Sequence, residues 1–312
     1  MPPRRLQNIL NKKRFWGEIW KHRFPYLFIA PFFIIYTLFM GFPVVFSLYL
    51  SFCKWNGNPS TPIRWIGLGN YIRLFHDKVF LISLRNMLVY VPSAVFLGIS
   101  IALLLALALN VSIRFRGFFR ACFFLPSITS MVVISLVWMQ IYNLEPRIGL
   151  INGILQHLGK APVGWLSDPH ISLLSIIIMV TWASAGYNAV LFLAGLQGIS
   201  QELYEAAEID GANMWQKFWH ITVPMIRPTT TFIIIMGFIY GLQIFEPMQI
   251  MTSGGPAYST MSMVLLLYNN AFSYFYWGYA SALAYVLFIL IMVFTFLYFY
   301  ARKKMGQSFF EV

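Results

Sequence analysis

The chain has 312 residues, of which 59% are hydrophobic and only 10% are charged, with a formal net charge of +12 and a mean hydropathy of +0.69. Soluble domains carry about 45–50% apolar and about 25% charged residues, so this composition excludes a cytosolic enzyme, a disulfide scaffold and a disordered chain. It predicts one all-α membrane domain. Because Lys and Arg are scattered over tails and loops, the basic excess indicates membrane loops and no nucleic-acid partner.

Six stretches of the sequence are long and apolar enough to cross a bilayer, which takes about 20 residues. Their approximate bounds are Tyr26–Leu50, Asn86–Asn110, Arg120–Tyr142, Ile171–Leu196, Pro228–Phe245 and Tyr279–Tyr300. The first is too long for a signal-peptide core and is interpreted as a retained helix. The pattern therefore predicts a six-span bundle at residues 26–300, between a basic tail at 1–25 and a short tail at 301–312.

The distribution of Lys and Arg between the loops predicts the orientation of the bundle. With both termini inside, fifteen of these residues lie in the tails and inner loops and seven in the outer loops. Cytoplasmic segments carry the positive excess, so both tails are expected in the cytoplasm. The basic run Lys12–Arg23 is interpreted as a plain tail, and a helix lying in the membrane interface is the alternative.

Polar residues in the fourth and fifth spans are candidates for a solute pathway, because polar groups are expensive in hydrocarbon. They recur at helical spacing on one face of each span. The candidates are Ser184, Tyr187, Asn188, Gly237, Tyr240, Gly241, Gln243 and Glu246. Gly237 and Gly241 are expected to leave room or to break the helix. Since such residues also pack membrane helices together, inter-helix packing is the alternative for each of them.

The loop at residues 198–224 is acidic, unlike most cytoplasmic membrane loops. Ser200 is expected to cap a helix that begins near Gln201. Gly211 should end that helix, and Asp210 is predicted to cap a second short helix that ends at Pro224. Apolar side chains expected on its surface are Leu203, Tyr204, Trp215, Phe218 and Trp219. Exposed apolar groups rimmed by charge indicate a docking surface for a cytoplasmic partner, the alternative being a solvated connector.

A turn is predicted on the outer side after the fifth span, at Gly254-Gly255-Pro256. The two glycines are not a phosphate-binding loop, because the strand, helix and Lys of a P-loop are missing around them. No Walker motif occurs in the sequence, so ATP hydrolysis by this chain itself is not expected.

The loop at 198–224 resembles the EAA loop of ABC importer permeases. Glu205-Ala206-Ala207, then Gly211, then Ile221-x-x-Pro224 match its spacing, with Val223 where Leu is usual. Other motifs resemble the carbohydrate-importer branch, in particular the first permease subunit of maltose-type and glycerol-phosphate-type systems. These motifs are Phe124-Leu-Pro126, Gly149-Leu-Ile-Asn152, Trp165-Leu-Ser-Asp-Pro169, Ala194-Gly-Leu-Gln-Gly198 and Thr252-Ser-Gly-Gly-Pro256. The resemblance covers about residues 20–304.

The resemblance implies a six-helix bundle of the type I ABC importer permease kind, in a bacterial or archaeal inner membrane. It implies that the loop at 198–224 is a coupling helix seated in an ATPase subunit. The coupling residues would be Glu205, Ala206, Ala207, Asp210, Gly211, Ile221 and Pro224. Implied partners are a sister permease in a heterodimer, an ATPase dimer, membrane lipid, and an extracytoplasmic sugar-binding protein near Gly254, Gly255 and Pro256. ATP and Mg would bind the ATPase, leaving this chain without a cofactor or metal.

The resemblance also implies an activity, the import of a sugar by alternating access. In the family, sugar-contact positions match Tyr187, Gly237, Tyr240 and Gly241. Amino acids, phosphate or polyamines are the alternative cargoes, and a stand-alone channel or secondary carrier is the alternative class. A membrane enzyme is rejected, because the spans hold neither His nor paired carboxylates for acid–base chemistry.

Overall fold

The computed structural model of the chain describes residues 23–111 and 114–304. Nearly all of the basic run at Lys12–Arg23 lies outside these residues, so the two interpretations of that run stay open. The helices are α1 (Arg23–Tyr36), α2 (Phe42–Ser51), α3 (Gly69–His76), α4 (Lys78–Asn110), α5 (Arg116–Ile128), α6 (Met131–Ile141), α7 (Leu150–His157), α8 (Ser172–Gln197), α9 (Gln201–Ile209), α10 (Met214–Lys217), α11 (Val223–Met225), α12 (Arg227–Leu242), α13 (Glu246–Thr252), α14 (Met263–Tyr268) and α15 (Trp277–Lys304). Short π-helical segments are Thr37–Gly41, Phe218–Thr222 and Asn269–Ser273.

The apolar helices confirm a helical membrane protein. Within the described ranges, four segments are long and apolar enough to cross a bilayer, namely Phe24–Ser51, α4, α8 and α15. Two further segments are bent pairs: α5 and α6 meet at 101°, and Met214–Met225 meets α12 at 61°. If each bent pair is one span, the number of crossings rises from four to six.

The apolar stretch Arg120–Tyr142, predicted as one span, is not one continuous helix. Helix α5 ends at Ile128, α6 begins at Met131, and the two run at 101° to each other. Thr129 and Ser130 between them have extended ψ angles of 142° and 132°. Pro126 lacks a backbone N–H in the last turn of α5, which weakens the helix just before the break.

Helix α4 begins eight residues earlier than the apolar run that predicted it. The Asp77 side chain caps it by accepting a hydrogen bond from the Val79 backbone N–H at 2.8 Å. Asp77 also accepts a 2.6 Å hydrogen bond from the Tyr279 hydroxyl of α15. The cap therefore ties the start of α4 to the start of α15.

The expectation of an all-α chain needs one small correction. Strands β1 (Cys53–Lys54) and β2 (Arg64–Trp65) pair antiparallel, with Cys53 opposite Trp65. Two-residue strands are too short for the period-two alternation that identifies a strand in a sequence.

Helices α4 and α8 form the centre of the bundle. They pack along each other, α12 packs on α4, α5 packs on α8, and α15 packs on α2. Helices α5 and α8 run antiparallel. Arg116 at the start of α5 lies beside Gln197 at the end of α8, whereas Ser127 near the end of α5 accepts a hydrogen bond from the Tyr187 backbone N–H in the middle of α8. Buried apolar side chains concentrate between α4, α8 and the segments that follow α12. No described side chain of α1 is buried.

One buried amide organises the segment between α6 and α8. The side-chain nitrogen of Asn152 donates to the carbonyl oxygens of Asn143 and Val163 at 2.9 and 3.0 Å. Its side-chain oxygen accepts from the Val163 backbone N–H at 2.9 Å and from the Trp165 indole at 3.2 Å. Ser175 of α8 then donates to the Trp165 carbonyl at 2.8 Å. Asn152 thus joins α7 to the start of α8.

Replacing Asn152 by Ala is expected to destabilise this segment by about 2 kcal/mol, because the half-buried donors of Val163 and Trp165 lose their acceptor. The thermal unfolding midpoint of the purified protein should fall by several degrees. Gln156→Ala, on the exposed side of the same helix, is the matched control and should leave the midpoint unchanged. Equal midpoints for the two variants would contradict the role given to Asn152.

Candidate functional site

A cavity of about 560 Å³ lies between α4, α8, α12 and the start of α13, within the range of about 300–1,000 Å³ typical of small-molecule sites. The structure brings all eight pathway candidates to its wall: Ser184, Tyr187, Asn188, Gly237, Tyr240, Gly241, Gln243 and Glu246. Tyr187 and Tyr240 are 50% and 70% exposed, so their rings are available to a ligand. The two predicted spans therefore face one shared space.

The sequence reasoning missed the third wall of this cavity. Helix α4 contributes Tyr90, Val95 and Gly98, and α6 contributes Met131. Tyr90 was the available signal, since it is a hydroxyl-bearing residue inside an apolar run. The pathway prediction rests on the polar faces of the fourth and fifth spans, and α4 has no such face in its sequence.

Gly237 and Gly241 allow α12 to approach α4 closely. A Cβ atom on Gly237 would lie 2.9 Å from Cγ2 of Val95, and one on Gly241 would lie 3.2 Å from Cγ1 of Val91. Of the two expectations for these glycines, the break does not occur, because the helix continues through both and ends at Leu242. The room that they leave is occupied by Val95 and Val91 of α4.

The polar groups on the cavity wall suit hydrogen bonding to an uncharged ligand. The Gln243 amide nitrogen donates to the Ile239 carbonyl at 3.1 Å, which turns the amide oxygen toward other donors. Glu246 is the only charged residue on the wall, and no ion pair forms to it within the described residues. Hydroxyl, amide and carboxylate groups beside aromatic rings can bind a polyhydroxylated solute through both its hydroxyls and its C–H faces.

At one end of the bundle the loop at 198–224 forms a pair of short helices. Ser200 caps α9, as predicted, by accepting a hydrogen bond from the Glu202 backbone N–H at 3.3 Å. Gly211 has φ +77°, a left-handed conformation that glycine adopts without strain. The chain therefore reverses direction at Gly211 directly after α9.

The predicted cap of the second helix is wrong. Asp210 lies at the C-terminal end of α9, where its backbone N–H donates to the Ala206 carbonyl at 3.0 Å. The cap of α10 is Asn213, whose side chain accepts from the Gln216 backbone N–H at 3.0 Å while the Gln216 side chain accepts from the Asn213 N–H at 2.8 Å. The helical path also continues past Pro224 to Met225, since proline is tolerated in the first turn of α11.

Two side-chain contacts hold the loop together. Tyr204 and Thr222 share a 2.8 Å hydrogen bond, and the Lys217 ammonium lies 2.6 Å from the Glu208 carboxylate. Tyr204 and Phe218, which were expected on the surface, are both half-buried. Tyr204 is held by its hydrogen bond to Thr222, and Phe218 packs against the rings of Trp215 and Trp219. The loop is therefore a defined helical hairpin.

The hairpin presents an apolar tip. Ile209, Met214 and Trp215 are 88%, 80% and 72% exposed at the turn around Gly211. Of these, Ile209 and Met214 were not singled out from the sequence. Among the predicted coupling residues, Glu205, Ala206, Asp210 and Gly211 are exposed, while Ala207, Ile221 and Pro224 are half-buried. Exposed apolar groups of this size indicate a protein-binding surface.

Replacing Asn213 by Ala is expected to weaken α10 by about 1 kcal/mol, the usual cost of losing an N-cap. The backbone amides of Gln216 and Lys217, which donate to Asn213, should then exchange with deuterium about fivefold faster. Asn213→Asp keeps an accepting oxygen and should exchange at the wild-type rate. Unchanged exchange in Asn213→Ala would show that the capping box does not order the hairpin.

The predicted turn at the other end of the bundle is present. The Gly255 backbone N–H donates to the Thr252 carbonyl at 2.9 Å, and Gly254 has φ +84°. The Asn86 side chain of α4 donates to the Tyr258 carbonyl at 2.8 Å. Ser262 donates to the Ile244 carbonyl on the cavity wall at 2.8 Å. The turn is therefore fixed to the same helices that enclose the cavity.

A helical membrane bundle that encloses a largely apolar cavity with a few polar groups and carries an exposed helical hairpin is typical of a membrane transport subunit. Residues 94–307 match the family described as the binding-protein-dependent transport system inner membrane component, and the chain belongs to this family. It is a transport subunit of the membrane and not an enzyme.

Curated relatives and a solved structure resemble nearly the whole chain. It is 36% identical to the lactose transport system permease protein LacF of Rhizobium radiobacter over 89% of this chain and 94% of that protein. It is 33% identical to the arabinooligosaccharides transport system permease protein AraP of Bacillus subtilis, over 88% of each chain. A chain of a bacterial ABC transporter involved in the import of alginate shares the fold, with a TM-score of 0.81, 24% identity and coverage of 93% of this chain and 99% of that chain.

Proposed function

We propose that this chain is a permease subunit of an ATP-driven sugar importer and forms half of its translocation pathway. The observation that carries the proposal is the cavity, where both predicted spans contribute hydroxyl, amide and aromatic groups. The names of the sugar permeases that are similar along most of the chain support a carbohydrate as cargo. Both bent helix pairs then count as spans, giving six crossings with both termini in the cytoplasm.

The charge of this chain's half of the cavity wall favours an uncharged sugar as the cargo. The wall carries one carboxylate, on Glu246, and none of its residues is Lys, Arg or His. Burying an anionic solute beside an unpaired carboxylate costs free energy, which disfavours phosphate and acidic sugars. Hydroxyl groups of a neutral sugar can donate to Glu246 and to the amide oxygen of Gln243 instead.

The proposed partners are a sister permease, which forms a heterodimer with this chain, an ATPase dimer and an extracytoplasmic sugar-binding protein. The binding protein docks near the turn at Gly254-Gly255-Pro256. ATP and Mg bind the ATPase, and this chain binds no cofactor. The hairpin at 198–224, with Glu205, Ala206 and Ala207 on α9, seats in the ATPase.

Transport then proceeds by alternating access. ATP closes the ATPase dimer, and the two subunits' hairpins move together with it. Because helix α9 of the hairpin follows α8 after three residues and the hairpin leads through α11 into α12, its rigid-body movement reorients both helices that carry the cavity wall. Sugar enters from the binding protein while the cavity faces outward, and hydrolysis restores the inward-facing state.

The proposal is tested by isolating the native assembly. Membranes containing the tagged chain are solubilised gently, and the co-purifying proteins are identified by mass spectrometry. Recovery of an ATPase with Walker motifs, a second polytopic permease and a sugar-binding protein is the expected result. The chain recovered alone, under conditions that keep known ABC transporters intact, would favour a channel or secondary carrier. Uptake of labelled neutral sugars, amino acids, phosphate and polyamines by the reconstituted assembly then tests the cargo.

A further inference from the structure

Two arginines converge on one oxygen beside the C-terminal end of α8. Arg116 and Arg120 lie one turn apart on α5, on the side that faces α8. With its amide oriented to satisfy both, the Gln197 side-chain oxygen accepts from Nη2 of Arg116 at 3.2 Å and from Nη2 of Arg120 at 3.3 Å. The Nε atom of each arginine is buried and has no hydrogen-bond partner.

The positive charge of this pair is not balanced by the chain. Throughout residues 23–111 and 114–304, the ion pair that forms joins Lys217 to Glu208, and neither arginine has a carboxylate within 4.0 Å. The C-terminus of α8 offers about half a negative charge from its helix dipole, against two full positive charges. Buried donors nearly always have a partner in folded proteins. The cluster therefore lacks both an anion and hydrogen-bond acceptors.

The cluster lies at the depth of lipid headgroups. Helix α8 has 26 residues and is about 39 Å long, while the hydrocarbon core is about 30 Å thick, so its last residues extend beyond the core. Phe118 and Phe119, between the arginines on α5, are 65% and 41% exposed. Aromatic side chains exposed on a membrane helix are suited to contact with lipid.

We propose that Arg116, Arg120 and Gln197 bind the phosphate group of an anionic phospholipid. Guanidinium groups match phosphate oxygens in a forked geometry and form strong charge-assisted hydrogen bonds with them. The Gln197 oxygen holds the two guanidiniums side by side, and the phosphate, bound at their outer nitrogens, supplies the missing negative charge. The lipid links α5 to Gln197, the last residue of α8 before the hairpin at 198–224. It thereby stiffens the connection between the hairpin and α8.

The first test measures bound lipid on the assembled importer. The complex is purified with its partners from membranes containing phosphatidylglycerol, and retained lipid is counted by native mass spectrometry. The Arg116→Gln/Arg120→Gln variant should retain about tenfold less phosphatidylglycerol than wild type. Arg114→Gln is the matched control, because Arg114 is exposed and stacks on the Phe115 ring, and it should retain the wild-type amount. The Arg116→Lys/Arg120→Lys variant keeps the positive charge but loses the forked guanidinium geometry. It should retain an amount of phosphatidylglycerol between those of the double Gln variant and wild type.

A second measurement uses only the wild-type complex and so does not depend on the folding of a variant. In nanodiscs of phosphatidylcholine, added phosphatidylglycerol should raise the thermal unfolding midpoint, whereas inorganic phosphate at millimolar concentration should not. Equal stabilisation by inorganic phosphate would show that the site binds free phosphate, and it would overturn the proposal that the ligand is a phospholipid.

Two further outcomes overturn the proposal. Equal phosphatidylglycerol retention by wild type and the double Gln variant would show that the arginines do not bind lipid. Loss of a partner subunit from the double Gln variant, with lipid retention unchanged, would identify a carboxylate of a neighbouring protein as the anion.

Discussion

Replacing Gly211 by Val is expected to reduce sugar uptake by the assembled importer about tenfold or more while most ATPase activity remains. Gly211 has φ +77°, and no atom lies within 4 Å of the position its Cβ would take. The cost of Val is therefore backbone strain and not a collision, about 1–2 kcal/mol or more for a β-branched residue. Relief of that strain changes the angle between α9 and α10, so the hairpin tip no longer seats correctly in its partner.

The measurement is ATP hydrolysis and labelled-sugar uptake on the same proteoliposomes, reported as their ratio. Gly211→Asn is the matched control, because Asn tolerates the left-handed conformation, and it should keep the wild-type ratio. If Gly211→Val keeps the wild-type ratio of sugar uptake to ATP hydrolysis, the hairpin does not couple the two activities.

Replacing Tyr187 and Tyr240 together by Ala is expected to have the second large effect, a loss of sugar uptake of about 30-fold or more. Both rings are exposed to the cavity, and truncating a tyrosine that contacts a ligand costs about 1–2 kcal/mol each. Labelled-sugar uptake should fall, while the ATP hydrolysis that the complex carries out without sugar should stay at the wild-type rate.

Tyr300→Ala is the matched control for the tyrosine pair. Tyr300 is 60% exposed near the end of α15 and lies off the cavity wall, so its truncation should leave uptake at the wild-type rate. If the double variant and this control transport equally well, the tyrosines of the cavity do not contact the sugar.

The sequence predicts the apolar helices well and their directions poorly. Hydropathy records the length of an apolar run, and residues 120–142 form one such run although the helix turns through 101° inside it. The turn depends on the packing of α5 against α8, where a Cβ on Gly186 would collide with the carbonyl of Phe123. No periodicity in the sequence carries that contact.

At the start of α4 the apolar run is shorter than the helix, whereas at residues 120–142 one run contains two helices. Lys78 and Arg85 end the apolar run, although the helix continues through both to its cap at Asp77. A rule that excludes charge from a span therefore shortens the helix at the membrane surface.

In the hairpin, the error concerns a choice between two good caps. Asp210 and Asn213 can both cap a helix, and the sequence reasoning chose the residue nearest to α9. The left-handed turn at Gly211 places Asp210 on the preceding helix and leaves Asn213, with Gln216 three residues later, at the start of α10. The spacing of the capping box in the sequence favours Asn213 and could have decided the choice.

For the cavity, spacing identified the residues of α8 and α12 because each helix shows its polar face in its own sequence. The wall from α4 could not be found in this way. Tyr90 is buried there, and which helix lies opposite a polar face is a tertiary property that a single sequence does not encode locally.

The internal hydrogen bonds of Asn152 fix the backbone of the α7 segment without involving the side chains on its outer surface. The backbone around α7 is fixed from inside by one amide, while the apolar side chains of Leu150, Ile154 and Leu158 on the outside are exposed. During evolution these outer side chains can be exchanged without loss of the loop. The surface that this segment presents can therefore change by substitution of its outer side chains alone, while the internal amide continues to fix the backbone.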